Sequence, residues 1–93
     1  MYQVIDVSAA GAGTAYLDAS TAVRGLGGAT LVSAGAAATM KIQETNGSGR
    51  VLAMLSAAIG TSDHYTPFEP IVFQGQLFIT VTGASATALI EIE

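Results

Sequence analysis

The side chains best able to do chemistry lie together in one short stretch of the sequence. Asp63 and His64 are adjacent, and Glu69 follows in the same stretch. His64 is the only histidine, so it is the only imidazole that could act as the base activating a serine nucleophile. Carboxylates and imidazole are also common protein ligands of divalent metals. A small hydrolase or metal-dependent enzyme is therefore one hypothesis.

The spacing of these residues argues against both kinds of site. Ser56 and Ser62 lie nearby, but neither stands in a G-x-S-x-G sequence. Neighbours in an extended segment point in opposite directions, so Asp63 is poorly placed to orient the His64 ring. The stretch also lacks the alternating oxygen ligands and the glycine of an EF-hand loop. We therefore expect no catalytic residue and no metal ligand, and we place His64 in a solvated or interface loop.

Glycine is frequent, with 11 residues in 93, but the glycines do not form a phosphate-binding loop. The dinucleotide fingerprint G-x-G-x-x-G needs a third glycine, and the pairs that begin at Gly11, Gly25 and Gly47 each lack it. The three basic residues are isolated in a chain of net charge −4, too few to neutralise a run of phosphates. We expect no cofactor and no nucleic acid.

The composition is typical of a small folded domain with a thin core. Mean hydropathy is +0.54 and only 11% of the residues are charged, which excludes the disordered class. Without cysteine the chain has neither a disulfide framework nor a thiolate metal site. Ala, Gly, Ser and Thr make up nearly half of the residues and aromatics only 6%. So few large core side chains favour stabilisation by partner subunits.

No segment has the pattern of a targeting signal or a membrane helix. Residues Met1 to Ser8 have no basic start and no continuous apolar run, and they include Asp6. The longest uncharged run, Pro70 to Ile90, is interrupted by glycine, glutamine and threonine, which suits a membrane helix poorly. We expect two strands joined by a turn there, and no membrane partner.

Twofold alternation of apolar and polar residues dominates the chain. In Ala38–Glu44, for example, Met40 and Ile42 fall on one face of a strand. Turn signals recur at short intervals, and Asn46-Gly47 is the sharpest of them. The predicted strands are Gln3–Val7, Thr14–Leu17, Ala22–Leu26, Ala29–Ser33, Ala38–Glu44, Arg50–Ser56, Ile71–Phe73, Gln76–Thr82 and Ala86–Glu93.

These segments predict an all-β chain, with residues 1–93 forming a single small β-sandwich or jelly-roll-like domain of about eight short antiparallel strands. The Ala- and Leu-containing segment Val51–Ile59 would also suit a helix. We favour a strand because it follows a hairpin turn and ends at Gly60. Residues 33–38, rich in Ala, fit either a tight loop or a strand edge.

Two further segments carry predictions about the surface. The stretch from Asp63 to Ile71 contains Pro67 and Pro70, and we expect an ordered surface loop there. Residues 1–12 are either the first strand of the sandwich or an arm that adds a strand to a neighbouring molecule. The β-propensity of the first residues favours the strand.

Four segments resemble the corresponding parts of a known family. They are Val23–Leu26, Gly49–Leu52, Pro70–Gly83 and Ala86–Glu91, which together span residues 23–91. Their pattern resembles the small β-sandwich decoration, or cement, proteins that coat the heads of tailed bacteriophages. The resemblance implies a structural virion protein on the capsid exterior, found in the host cytoplasm during assembly. It also implies a homotrimer bound to the major capsid protein at threefold sites, with no catalytic residues.

Residue type and position single out six candidate contacts with the capsid or with another subunit. Aromatic side chains are enriched at protein interfaces, and two of them share a loop with His64. The six residues are Tyr2, Val4, Arg24, His64, Tyr65 and Phe68. The alternative function is a receptor- or carbohydrate-binding module of a phage tail or fibre, with residues 63–68 at a sugar contact.

Overall fold

A computed structural model describes residues 3–17 and 23–93. In these ranges the chain is all-β, and every strand pair is antiparallel. This confirms the predicted β-sandwich. The strands are β1 (Gln3–Asp6), β2 (Thr14–Tyr16), β3 (Val23–Val32), β4 (Ala38–Glu44), β5 (Val51–Ala57), β6 (Ser62–Tyr65), β7 (Ile71–Gln74), β8 (Leu77–Thr82) and β9 (Thr87–Ile92).

The strands form two sheets with the pairing of a jelly roll. Sheet A has the order β1-β9-β3, with both β6 and β7 on the far edge of β3, and sheet B has the order β2-β8-β4-β5. The pairs are nested in sequence: β4 with β5, β3 with β6, β2 with β8, and β1 with β9. A long hairpin wrapped into two facing sheets gives this nesting. β7 is an additional strand that continues the edge begun by β6.

The core lies between the sheets and follows the predicted alternation. Met40 and Ile42 of β4 and Ile90 and Ile92 of β9 belong to opposite sheets, and all four are at most 3% exposed. Burial of these side chains is the main favourable contribution to folding. The largest fully buried residues are Phe73, Leu26, Leu31, Met40, Ile42, Leu77, Ile79, Ile90 and Val7.

The structure corrects the prediction of separate strands at Ala22–Leu26 and Ala29–Ser33, with Gly27 and Gly28 between them. β3 runs unbroken from Val23 to Val32, with a bulge between Leu26 and Gly28. It is the central strand of sheet A, and neighbours on both edges hydrogen-bond to it. Tertiary pairing therefore keeps two flexible glycines in the strand, where a bulge absorbs the irregularity. Ala22, predicted to begin the first of the two strands, lies outside the described residues.

The structure also corrects the prediction of a loop from Asp63 onward. Residues Ser62–Tyr65 form β6, which pairs with β3 through Asp63↔Leu31 and Tyr65↔Ala29. Only one of its four residues is apolar, so local propensity does not identify it. Strand propensity depends strongly on context, and here the open edge of β3 supplies the context.

The β4–β5 hairpin forms as predicted, but the backbone conformation of its turn differs from the one expected. Val51–Ala57 is a strand, and Thr45, rather than Asn46 or Gly47, has the positive φ of 72°. A Cβ on Gly49 would overlap the carbonyl oxygen of Glu44, so the close approach of these two backbones requires glycine.

The N-terminal segment belongs to the sandwich as far as the structure describes it. Residues Gln3–Asp6 pair with β9, from Gln3↔Ile92 to Asp6↔Leu89. They form the first strand of this molecule's own sheet A and one of its edges. The opposite edge is made by β6 and β7.

Side-chain bonds fasten the β4–β5 hairpin to β7. The Arg50 guanidinium donates to the carbonyl oxygen of Val72 at 2.9 Å, and a Glu44 carboxylate oxygen accepts the backbone N–H of Gln74 at 3.0 Å. Arg50 and Glu44 also form an ion pair at 3.5 Å. Because β5 and β7 belong to different sheets, these contacts close one side of the sandwich.

Candidate interaction surface

Among the described residues, the most exposed large apolar side chain is that of Phe68, in the connection between β6 and β7. β6 and β7 pair with adjacent parts of β3, and residues 66–70 connect them, which we call the Phe68 loop. Pro67 and Pro70 fix two of its φ angles. Phe68 is 101% exposed, so its whole ring is in solvent. The loop is thus a restrained support for a projecting aromatic ring.

A groove on the outer face of sheet A lies beside this loop. Its volume is about 400 Å³, and we call it the β3–β7 groove. Val23 and Val72 are 68% and 61% exposed. A Cβ on Gly25 would come within 2.8 Å of the Cβ of Pro70, so the absence of a side chain there lets the proline lie against the strand. The lining residues are Val23, Arg24, Gly25, Glu69, Pro70, Val72 and Glu93.

Charged residues line the β3–β7 groove together with the apolar ones. Arg24, Glu69 and Glu93 line it, and none of them forms an ion pair with another described residue. Protein interfaces typically combine apolar and polar groups. The arrangement can therefore bind a partner's apolar surface and orient it by charge.

Acidic residues collect on the outer face of sheet A. The strand registers Val4↔Glu91 and Asp6↔Leu89 bring Asp6 and Glu91 to this face, and Glu93 follows at the end of β9. Val4, 60% exposed, lies directly opposite Glu91. This face accounts for much of the net negative charge of the chain.

The outer face of sheet B has a different chemistry. It presents hydroxyl side chains from three adjacent strands, and we call it the hydroxyl face, defined by Thr39, Lys41, Met54, Ser56, Thr80 and Thr82. Thr39 and Thr82 hydrogen-bond to each other through their hydroxyls at 2.5 Å. A groove of about 290 Å³ crosses this face, and Met54 beside it is 70% exposed. Lys41 is the one charged side chain among these six.

The six predicted contact residues are dispersed over the sheet A side of the molecule. Arg24 lines the β3–β7 groove, and Phe68 projects from its loop. His64 is exposed on β6 with its Nδ1 3.3 Å from the Thr30 hydroxyl. Val4 lies on the opposite edge strand, β1. Tyr65 is half-buried and packs against the core, while Tyr2 lies outside the described residues.

The residues that suggested an enzyme do not converge. The Asp63 carboxylate accepts the backbone N–H of Ser56 at 3.1 Å and that of His64 at 3.0 Å. Its partners are thus backbone groups rather than the His64 ring. Among residues 3–17 and 23–93, no three acidic or histidine side chains gather as a metal site would require.

The pKa values of two groups near β1 are shifted. The Ser8 side chain and the Ser8 backbone N–H lower the pKa of Asp6 below its ordinary value, because hydrogen bonds favour the carboxylate form. Burial raises the pKa of Tyr16, and the Asp6 charge adds to this effect. The negative charge of Asp6 is thereby maintained on the outer face of sheet A.

Sequence reasoning did not identify the hydroxyl face. The signal is visible in retrospect, because Thr39, Lys41, Thr80 and Thr82 occupy the polar positions of two alternating strands. Nothing in the alternation tells which strands become neighbours, and the face exists only once β4 lies between β5 and β8.

The described residues contain no helix long and apolar enough to cross a membrane. No protein-family model matches the sequence, and no curated protein matches it either.

Proposed function

We propose that this chain is a structural virion protein that decorates and stabilises a bacteriophage capsid. It binds the outer surface of the major capsid protein shell as a homotrimer at threefold sites. It acts by adding noncovalent interface area rather than by chemistry. The observation that carries the proposal is the β3–β7 groove, which is lined by exposed apolar side chains and by charged residues that form no ion pair with another described residue.

The exposed valines give the groove the character of a protein-binding surface. Val23 and Val72 are each more than half exposed, although Leu26 of β3 and Phe73 of β7 are buried on the other face of the sheet. Apolar groups grouped in this way mark interaction sites more often than scattered ones do. Pro70 is held against β3 over Gly25, so the surface changes little on binding and loses little conformational entropy.

Fixed geometry also suits a protein that reinforces a shell. The two sheets are bonded along one side by Arg50, Glu44 and Asp63. A load applied to one sheet is therefore transmitted to the other. Three such domains on a threefold site present the same contact three times, and the effective concentration of the second and third contacts makes weak single contacts sufficient.

The distribution of charge supports an external position. Asp6, Glu91 and Glu93 lie on the outer face of sheet A, and the net charge is −4. A surface of this kind repels packaged DNA. It also keeps an abundant coat protein soluble before assembly.

The test is the number of copies of this chain relative to the major capsid protein in gradient-purified particles. Hundreds of copies, in fixed proportion to the capsid protein, are expected. Protein-depleted particles should also rebind the purified chain, and Val72→Ser or Arg24→Ala should weaken rebinding by about tenfold or more. Ile59→Ser is the matched control, because Ile59 is 65% exposed but lies in the β5–β6 loop.

A handful of copies per particle, or rebinding that is indifferent to Val72 and Arg24, would overturn the proposal. Few copies together with affinity for a glycan would favour the tail or fibre module. That alternative has less support in the fold, because Asp63 is bonded to the backbone and Tyr65 packs against the core. Neither side chain is freely presented to a sugar.

A further inference from the structure

The hydroxyl face has a feature that the proposed capsid contact does not use. Its groove of about 290 Å³ runs beside Met54, whose side chain is 70% exposed. Lys41 lines the same groove and is half-buried, yet it forms no hydrogen bond or ion pair with any described side chain. The face thus combines an apolar contact with a cation that has no counter-charge.

The Phe68 loop carries the complementary pair of features. Phe68 is fully exposed, and the next residue, Glu69, is exposed without an ion-pair partner among the described residues. An aromatic ring and a carboxylate are therefore adjacent on a loop that prolines restrain. Methionine sulfur makes favourable contacts with aromatic rings, and Glu69 opposite Lys41 would neutralise both charges.

We infer that two copies of this chain associate by inserting the Phe68 loop of one into the hydroxyl-face groove of the other. Phe68 packs on Met54, and Glu69 pairs with Lys41. The occupant is a second copy because both complementary halves are present on one chain. The inference rests on the oligomeric part of the proposed function and names the contact that builds the oligomer.

The positions of the Phe68 loop and of the hydroxyl-face groove allow each copy to form both contacts at the same time. Ser56 of β5 bonds to Asp63 of β6, and Arg50, just before β5, bonds to Val72 of β7. Met54 therefore lies on the side of the sandwich from which the Phe68 loop projects, on the face of the other sheet. Each molecule can give its loop to one neighbour and its groove to another, which is a heterologous contact that closes into a ring when the rotation permits.

The charge distribution also favours this contact over others between copies. Face-to-face packing of two sheet A surfaces would oppose Asp6, Glu91 and Glu93 with their equivalents. Packing of two hydroxyl faces would oppose Lys41 with Lys41. The loop-in-groove contact brings opposite charges together, and like-charge juxtaposition is what excludes the wrong arrangements.

The test is sedimentation equilibrium of the purified chain over a wide concentration range at low salt, without particles. The wild type should associate, and Phe68→Ala should weaken association by about 30-fold or more, as for a central aromatic anchor. Lys41→Glu and Glu69→Lys should each weaken it several-fold, and the double variant should restore it. Ile59→Ala is the control at another exposed apolar residue, outside the proposed contact, and should associate as the wild type does.

Two results would overturn the inference. One is a wild type that stays monomeric at every concentration. The other is association that Phe68→Ala leaves unchanged or that the double charge reversal fails to rescue. These outcomes are distinct from failure of the capsid role: a monomer that rebinds particles would refute the contact and the homotrimer but not the capsid role, whereas an oligomer that never binds particles would refute the capsid role alone.

Discussion

The carboxylate of Asp63 on β6 accepts a hydrogen bond from the backbone N–H of Ser56 on β5, at 3.1 Å. Because β5 belongs to sheet B and β6 to sheet A, this bond joins the two sheets at the side where the chain crosses between them. By type and position, Asp63 was a candidate for catalysis, metal binding or sugar contact. In the fold it supports the edge from which the Phe68 loop projects.

Asp63→Ala should therefore lower stability even though no site chemistry is lost. We expect a loss of about 1 kcal/mol in the free energy of unfolding, since a partly exposed hydrogen bond to a charged acceptor is worth no more than that. Asp63→Asn keeps an acceptor oxygen and should lose less. Urea unfolding of both variants measures these changes in the free energy of unfolding. Equal stability of Asp63→Ala and the wild type would show that the Asp63 hydrogen bond does not stabilise the contact between the sheets.

Substitution by alanine should change the free energy of unfolding greatly at one phenylalanine and hardly at all at another. Phe73 is 1% exposed and Phe68 is 101% exposed. Phe73→Ala should cost about 3–5 kcal/mol through lost burial and the cavity that remains. Phe68→Ala should stay within about 0.5 kcal/mol of the wild type in dilute solution, where association does not contribute. Thermal unfolding gives both values, and a destabilised Phe68→Ala would mean that the ring packs against its own fold.

Gly83 should not tolerate a side chain. Its φ is +110°, and a Cβ would lie 2.8 Å from the carbonyl oxygen of Ala37. Gly83→Ala should therefore destabilise the protein by about 2–4 kcal/mol through backbone strain and overlap. Gly35→Ala is the control, because a Cβ there has nothing within 4 Å. Denaturant midpoints should separate the two variants, and similar midpoints would contradict the described turn after β8.

Acidification should remove a small stabilising contribution at Asp6. The pKa of this carboxyl is lowered in the folded state, chiefly by the Ser8 side chain and then by the Ser8 backbone N–H. A lowered folded pKa means that the contribution is present above the unfolded pKa and is lost as the pH falls through the folded pKa. Asp6→Asn should therefore lose stability less steeply on acidification than the wild type.

Titration by NMR measures the Asp6 carboxyl directly. In the Ser8→Ala variant the pKa of Asp6 should rise toward its ordinary value, while the remaining backbone N–H keeps part of the shift. An Asp6 pKa equal in the folded and the unfolded protein would contradict this account of the β1 terminus.

Strand identity was predictable wherever one face of the strand is buried. Met40 and Ile42 in β4, and Ile90 and Ile92 in β9, alternate with polar residues because burial on one side of a pleated strand imposes a period of two. This regularity also gave the all-β class, and the turn signals between the strands gave the short-strand sandwich. Residues 51–57 were correctly predicted to form a strand rather than a helix, because a hairpin turn precedes them.

The candidate site was only partly predictable. Phe68 was recognised as a surface residue from its loop and its flanking prolines. The exposed valines of the β3–β7 groove, Val23 and Val72, come from strands that are distant in sequence and that only pairing brings together. The hydroxyl face likewise exists only when β4 lies between β5 and β8, and no local feature of the sequence predicts that strand order.

Three features follow from the amino-acid sequence without any tertiary information: the period of most strands, the positions of most turns, and the shortage of charge and of large side chains. The tertiary structure alone decided that Gly27 and Gly28 continue β3 instead of turning and that Ser62–Tyr65 becomes a strand. The physical reason is that alternation and turn propensity are local properties of the chain. Backbone hydrogen bonds to a neighbouring strand, and the burial that follows, depend on residues far away in sequence, and at these positions they outweigh the local preference.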